Sequence, residues 1–159
     1  MTREQINEFT LRTSQANHSG LILILFDMEK IYMTDALEAY SAGDEENYLR
    51  QLELARRVHN ELMGCLNPKD AVAADVLRVF RFIYARMNSS VIRKKPDSLD
   101  RCQAMMDTLR GGFVHLHELD TEDAVMKNTH KVYAGLTYGK GVLTESVQGV
   151  DYSSRGYKI

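Results

Sequence analysis

The sequence of 159 residues has little proline, little cysteine and no excess charge of either sign. It contains two prolines and two cysteines, and its 20 basic and 22 acidic residues give a net charge of −2. A net charge so close to zero offers no general attraction for nucleic acid or for an anionic membrane. With 44% hydrophobic and 26% charged residues, the composition is that of one globular domain rather than of a disordered or fibrous chain.

Long apolar segments are also missing. The longest apolar run, residues 21–26, is far shorter than the roughly 20 residues that span a bilayer, and three of the first ten residues are charged, unlike a secretory signal. Cys65 and Cys102 have no CxxC or Cys/His spacing, which argues against zinc and thioredoxin-like motifs and indicates buried, reduced thiols. We therefore expect a cytoplasmic protein without membrane insertion.

Apolar residues recur at helical spacing in four segments of about 20 residues each. The stripe of the first segment consists of Leu21, Leu25, Met28, Tyr32, Ala36, Ala39 and Tyr40. Asn17 is the predicted N-cap of this helix, and Gly43-Asp44 the predicted turn to the second. Asn67-Pro68 is predicted to cap and start the third helix, and Pro96 to end it.

These patterns predict an all-α fold. Four amphipathic helices with short connections favour antiparallel neighbours, so we expect an up-down four-helix bundle that, with an N-terminal arm, occupies residues 1–120. Cys65 and Cys102 would then lie near opposite ends of a bundle about 30 Å long, which excludes a disulfide between them within one chain.

The last quarter of the chain has a different composition. Five of the ten glycines and four of the eight tyrosines follow residue 120. Disordered chains are usually depleted in aromatic residues, so residues 121–159 are predicted to form a Gly/Tyr-rich C-terminal extension that is packed on the bundle or partly flexible. Through Tyr133, Leu136, Tyr138 and Leu143 it is expected to compete with a ligand of the bundle.

Catalytic and metal-binding motifs are not evident. No Glu-x-x-His pair of the kind that holds two metals in a helical bundle occurs, and His115-Leu116-His117-Glu118 offers at best half a site. GxSxG, P-loop and GxGxxG sequences are absent, and His59 and His130 lack the small neighbours expected of a phosphotransfer histidine. We expect no enzymatic activity, no cofactor and no metal.

The third helix carries a local positive charge. Residues 68–96 contain seven basic and two acidic residues. This face is explained either as a solvated surface balanced by acidic neighbours or as the binding face of a regulatory or nucleic-acid-binding bundle. Because no helix-turn-helix joint accompanies it, we expect no nucleic-acid partner and keep the second function as the alternative.

The first helix is apolar on every face over residues 21–26, although an outer helix of a bundle needs only one apolar stripe. Another segment must cover the second side. Within the chain, the candidates are the N-terminal arm with Ile6, Phe9 and Leu11, and the C-terminal extension. An apolar helix of another protein would fit the same surface, and both interpretations hold if the internal cover is displaceable.

Four segments occur in a characteristic order: Ala16–Asp27, Gly43-Asp44, Val79–Met87 and Met105–Phe113. They resemble, respectively, the helix opening with its Met-Leu-Tyr/Phe-Asp segment, the Gly-Asp turn, the Leu-Tyr-x-Tyr-x-x-x-Arg-Leu stretch and the Leu-Leu-x-x-Leu-Arg-x-Ala-Trp ending of the flagellar export chaperone family FliS. The resemblance covers about residues 9–116, and the C-terminal extension has no counterpart in it.

The resemblance implies a helical bundle that binds the disordered C-terminal segment of flagellin, prevents its premature polymerisation and assists flagellar type III secretion. The flagellar export apparatus is implied as a further partner. The N-terminal arm is implied to lie over part of the binding surface and to move aside. By position, the implied protein-binding residues are Phe9 in the arm, Ile22 and Phe26 on the exposed flank of the first helix, and Phe82 and Met106 on later helices.

Overall fold

The computed structural model describes residues 1–126, which form five α-helices and no strand. The helices are α1 (Arg3–Gln15), α2 (His18–Ser41), α3 (Glu45–Gly64), α4 (Ala71–Arg93) and α5 (Leu99–Leu119). The expected all-α fold is confirmed for this part of the chain. None of these helices combines the length and the apolar character needed to cross a membrane. The predicted packing of the C-terminal extension concerns mainly residues 127–159, which lie outside the described residues.

Local capping signals set the two ends of α2 and the start of α3. The Asn17 side chain accepts a hydrogen bond from the N–H of Gly20 at 3.0 Å, and the Asp44 side chain accepts one from the N–H of Asn47 at 3.0 Å. Between the helices, Gly43 has a φ of 77°, a left-handed conformation that costs glycine little. The predicted caps and turn are therefore confirmed.

The predicted start of α4 is wrong. The helix begins at Ala71 rather than directly after Asn67. Its cap is the Asp70 carboxylate, which accepts hydrogen bonds from the N–H groups of Val72 at 2.8 Å and Ala73 at 3.1 Å. Because one carboxylate satisfies two N–H groups of the first turn, the cap at this position is favoured, and the Asn-Pro pair lies in the preceding turn.

The N-terminal arm is itself a helix, α1, which starts with a capping box. It packs against α2 and runs antiparallel to it, as two ion pairs show. The N-terminal ammonium group of Met1 lies 2.9 Å from the Asp35 carboxylate, and the Arg12 guanidinium lies 2.6 Å from the Asp27 carboxylate. These ion pairs hold both ends of α1 on the same face of α2.

The four longer helices pack in a closed order. α2 contacts α3 and α5, and α4 also contacts α3 and α5. The antiparallel pairing of α2 and α5 is visible in successive contacts: Lys30 lies 2.8 Å from Asp107, and one turn on, Thr34 accepts a hydrogen bond from Gln103 at 2.8 Å. The core that these helices enclose includes Phe26, Met33, Ala36, Tyr48, Leu52, Ala55, Leu62, Phe80, Ile83, Met87, Leu99, Cys102 and Met106.

A polar pair is buried within this core. Glu29 of α2 and His59 of α3 are 1% and 0% exposed, and the carboxylate Oε1 lies 2.9 Å from Nδ1 of the imidazole. The other ring nitrogen, Nε2, lies 2.8 Å from the carbonyl oxygen of Phe80 in α4. A carbonyl oxygen can only accept, so Nε2 carries a proton and donates it. Three helices are thus joined by one chain of hydrogen bonds.

The buried carboxyl group is partly satisfied. Its second oxygen, Oε2, has no hydrogen-bond partner within the described residues. Burial raises the pKa of Glu29, and the hydrogen bond and charge of His59 oppose this shift. A charged carboxylate is therefore less favourable here than in water.

Both cysteines are free thiols, but they occupy different environments. Cys102 is in the core, where burial raises the pKa of its thiol to about 11. Cys65 is exposed at the C-terminal end of α3, so the prediction that both thiols are buried is wrong for this residue. Because Cys65 follows the last helical turn, the packing of α3 does not reach it.

Candidate functional site

The apolar segment of α2 is covered from within the chain. Leu23, Ile24 and Phe26 are all buried, and α1 lies along the same helix with Phe9 only 7% exposed. The segment is therefore covered within the chain, while the ion pairs of α1 with α2 lie just beyond it, at Asp27 and Asp35. In this conformation, residues 21–26 do not form an open surface for another protein.

The five residues predicted for protein binding do not lie together on one surface. Phe82 is 46% exposed, whereas Phe9, Phe26 and Met106 are 7%, 2% and 5% exposed. Ile22 is partly buried at the edge of the core. Phe82 is therefore the one member of the set that offers an exposed ring to a partner.

The placement of Phe26 on an exposed flank of α2 is wrong. Its ring centroid lies 6.0 Å from that of Phe80 in α4 and 5.2 Å from that of Phe113 in α5. Rings at such distances form favourable tilted contacts in protein cores. Both neighbours are distant in sequence, so the spacing of residues within α2 could not reveal them.

An open apolar groove lies between α4 and α5. Its volume is about 500 Å³, and its walls include Val72 and Val76 of α4 and Leu109 and Leu116 of α5. Val72 is 74% exposed and Leu116 is 58% exposed. No segment of residues 1–126 covers these side chains. Adjacent apolar groups left in water are typical of a surface that binds a partner.

Gly112 leaves space within this groove. It lines the groove in the middle of α5, and a Cβ atom placed there would meet no other atom within 4 Å. Gly111 is equally free of neighbours but does not line the groove. Glycine inside a helix costs about 1 kcal/mol relative to alanine. At Gly112 that cost is accompanied by open space that a partner can fill.

A second concavity lies between the same two helices, toward the N-terminal end of α5; the line between α4 and α5 that includes both concavities is called the α4–α5 seam. It has a volume of about 390 Å³ and lies between Phe82 and Arg86 of α4 and Arg101 and Met105 of α5. The Arg86 guanidinium lies 5.1 Å from the Phe82 ring centroid and 3.3 Å from the Asp97 carboxylate. This end of the seam thus combines an exposed aromatic ring with arginine side chains.

The chain that follows α5 returns to the junction of α1 and α2. The N–H of Val125 donates a hydrogen bond to the Ala16 carbonyl at 3.0 Å, and the Asn17 side-chain amide donates one to the Glu122 carbonyl at 3.3 Å. A polar cavity of about 360 Å³ lies beside these contacts. The segment 120–126 is thereby fixed to the joint of the arm.

Ser19, His117 and Asp120 also meet near this joint, but not as a catalytic triad. The Ser19 hydroxyl lies 2.6 Å from Nδ1 of His117. The pKa of Asp120 is lowered, above all because the Ser19 hydroxyl donates a hydrogen bond to its carboxylate. In a triad, the carboxylate orients the imidazole and the imidazole takes the serine proton. Here the Ser19 hydroxyl also lies 3.2 Å from the side-chain oxygen of Asn17, the N-cap of α2, so the cluster is a structural contact between the start of α2 and the end of α5.

The described residues contain no group of three or more histidine, cysteine, aspartate or glutamate side chains placed to hold a metal ion. Within the histidine-rich end of α5, His115 pairs loosely with Glu118 of the same helix at 3.6 Å, and His117 bonds to Ser19. The side chains of this segment are thus engaged in other contacts.

Comparison with known families decides what kind of helical protein this is. The family model described as "Flagellar protein FliS" matches residues 3–120. The chain belongs to the FliS family of flagellar proteins. No curated protein and no solved structure matches it. The FliS match covers all five helices, and membership implies a chaperone role in flagellar assembly with flagellin as the general partner.

In this FliS protein, the α4–α5 groove is the main feature that the sequence interpretation missed. A signal was present: Leu109, Gly112, Phe113 and Leu116 follow a helical spacing in which the glycine interrupts an apolar stripe. A stripe with a gap predicts a depression. Its extent could not be read from α5 alone, because α4 forms the opposite wall.

Proposed function

We propose that this FliS protein is a cytoplasmic export chaperone whose α4–α5 groove binds the C-terminal segment of flagellin. Binding keeps that segment from polymerising prematurely and delivers it for type III export. The observation that carries the proposal is the open apolar groove, with Val72 and Leu116 largely exposed on its two walls. Family membership supports the chaperone role and flagellin as the partner.

The dimensions of the seam suit one amphipathic helix. From Val72 to Arg86, α4 rises by about 21 Å, which corresponds to a partner helix of about 14 residues. Such a helix would place residues at i, i+3, i+4 and i+7 against the apolar walls. A disordered segment that folds on binding spends part of the interaction energy on ordering, so it needs a sizeable apolar surface such as the groove offers.

The groove is tested by filling it. In Gly112→Leu, the Cβ of the new side chain would meet no atom within 4 Å, so the side chain begins in open space at the groove. We expect the affinity for the flagellin C-terminal segment, measured by calorimetry, to fall at least about tenfold, equivalent to the loss of about 1.4 kcal/mol. Circular dichroism should show a smaller gain of helix on mixing.

Gly111→Leu is the matched control, since it places the same side chain on the same helix outside the groove. It should bind the segment as the wild type does. Equal affinity of the two variants would show that the segment binds elsewhere. A wild-type protein that produces neither heat nor added helicity with the segment at micromolar concentrations would refute the chaperone function itself.

The alternative function, a regulatory or nucleic-acid-binding bundle, depends on the basic face of α4. Part of that face is neutralised, because Arg78 pairs with Asp75 and Lys94 pairs with Glu45. Phosphate binding weakens steeply with salt, whereas apolar groove binding does not. Titration of a nucleic acid duplex at two salt concentrations distinguishes the two functions.

We propose the flagellar export apparatus as a second partner, which binds the chaperone once flagellin is bound to it. The two partners can be separated with Gly112→Leu. If the apparatus recognises the loaded chaperone, its binding should require the flagellin segment and should be lost together with segment binding in that variant. Apparatus binding that is unchanged without the segment would contradict this order.

A further inference from the structure

The two ends of the α4–α5 seam differ in charge. Among the residues that line its two concavities, the charged side chains are Asp70 at the apolar end and Arg86 and Arg101 at the other. The Asp70 carboxylate is occupied by the first N–H groups of α4. A ligand in the seam therefore meets a largely apolar surface at one end and guanidinium groups at the other.

The guanidinium groups have donors available. Arg101 is exposed and forms no salt bridge within residues 1–126. The Arg86 guanidinium lies over the Phe82 ring and contacts the Asp97 carboxylate at 3.3 Å. Because a guanidinium carries five N–H donors, this contact leaves others for a ligand. Carboxylates are the groups that such donors bind best, often through two parallel hydrogen bonds.

A helix bound in the seam has its own polarity. The C-terminal end of a helix carries a partial negative charge from its free carbonyl groups, and the N-terminal end a partial positive charge. The arrangement in which the C-terminal end lies beside Arg86 and Arg101 is electrostatically favoured over the reverse. In that arrangement the bound helix runs parallel to α4 and antiparallel to α5.

We propose that the seam selects the direction of its ligand: the flagellin helix lies with its acidic, C-terminal end between Phe82 and Arg101 and its apolar, N-terminal end between Val72 and Leu116. This inference rests on the proposed function, and it adds the orientation and the charge of the bound segment. The chain's own residues 127–159 are a poorer fit to the arginine end, because they contain five basic and two acidic residues.

The orientation can be read by nuclear magnetic resonance. Two samples of the flagellin C-terminal segment are prepared, one with a nitroxide label at its N-terminal end and one with the label at its C-terminal end. Methyl signals of Met105 and Val72 are observed in the full-length chaperone, in which Cys65→Ser removes the exposed thiol. Cys102 stays in place, because burial raises the pKa of its thiol to about 11 and keeps it unreactive at neutral pH. The C-terminal label should broaden Met105 and the N-terminal label Val72.

The possible outcomes separate this inference from the proposed function. The reverse pattern, or equal broadening at both ends, overturns the orientation but leaves the groove as the binding site. Calorimetric binding without broadening at either residue overturns the groove and the orientation together. Absence of binding overturns the proposed function.

The charge requirement has a separate test in Arg101→Glu. At low ionic strength, the affinity for the segment should fall about fivefold or more, since an attractive exposed pair becomes a repulsive one. Replacing an acidic residue near the C-terminal end of the segment with lysine should restore the affinity of the Arg101→Glu variant. Arg81→Glu is the control, because Arg81 is an exposed arginine of α4 that does not line the seam. Equal loss in both variants, or loss in neither, contradicts the proposal.

Discussion

Within residues 1–126, two strongly apolar surfaces differ in access: residues 21–26 of α2 are covered, and the α4–α5 groove is open. Residues 21–26 of α2 are packed under other parts of the chain, with α1 held on α2 by ion pairs to Asp27 and Asp35. The α4–α5 groove has no such cover within residues 1–126. A strongly hydrophobic segment is therefore not the one most accessible to a partner. Whether an apolar surface is accessible to a partner depends on whether another segment of the same chain packs over it.

The largest effect on stability is expected in the core beneath the covered side of α2, at the buried pair Glu29 and His59. Glu29→Ala leaves the imidazole of His59 buried without its carboxyl partner, and we expect the free energy of unfolding to fall by about 3–5 kcal/mol. Urea unfolding followed by circular dichroism measures the change. Glu29→Gln is the matched control, because its amide still donates to Nδ1, and it should retain most of the stability. A similar loss in both variants would mean that the hydrogen bond is not the source of the effect.

The same pair predicts a pH dependence. Burial raises the pKa of Glu29 above its ordinary value of 4.5, so the folded state holds the proton more tightly than the unfolded state does. The stability contributed by this proton is complete below the unfolded pKa and is lost as the pH rises through the folded one. The wild type should therefore lose stability relative to Glu29→Gln as the pH rises above 4.5. A difference that does not vary with pH would contradict the raised pKa.

An intermediate effect is expected where α1 covers α2. Phe9 is 7% exposed and Ile6, on the same helix, is 52% exposed. Phe9→Ala should weaken the docking of α1 by about 1.5–3 kcal/mol, the value of burying one large apolar side chain. Hydrogen exchange should then accelerate in α1 but not in α3.

Ile6→Ala serves as the control for this change and should leave exchange in α1 almost unaltered. If the arm also covers part of the client site, Phe9→Ala should strengthen binding of the flagellin segment. Faster exchange throughout the protein would show instead that α1 is part of the main cooperative unit.

The smallest effect is expected from removing residues 127–159. A cut after Met126 keeps the hydrogen bond between Val125 and Ala16, which a cut after Asp123 would remove. If the extension competes for the groove, truncation should raise the affinity for the flagellin segment by less than about tenfold, or 1.4 kcal/mol. Unchanged affinity and unchanged hydrogen exchange in α2 would show that the extension does not pack on the helices.

Features determined by neighbouring residues were predictable from the sequence. The caps at Asn17 and Asp44 and the left-handed Gly43 depend on contacts within a few positions, and all three are confirmed. The prediction of where α4 starts was wrong for an equally local reason. The carboxylate of Asp70 competes with the Asn-Pro signal at Asn67, and only the structure shows which of the two caps the helix.

The candidate site depended on contacts between distant segments and was predicted only in part. Phe82 does lie in the open seam, but Phe26 is buried by rings from α4 and α5. One warning was available: Glu29 falls three residues after Phe26 and four before Met33, on the buried stripe of α2. A charged residue on such a stripe requires a buried partner, yet nothing in α2 identifies His59 as that partner.

The return of the chain to the α1–α2 junction has a mechanical consequence. Because Val125 is bonded to Ala16, a force applied through the C-terminal extension reaches the joint of α1 before it reaches α5. Tension on the extension would thus act at Ala16, where α1, the helix packed on α2, ends. A partner that holds the C-terminal extension would therefore act on α1 through Val125, although Val125 and α1 are more than 100 residues apart in the sequence.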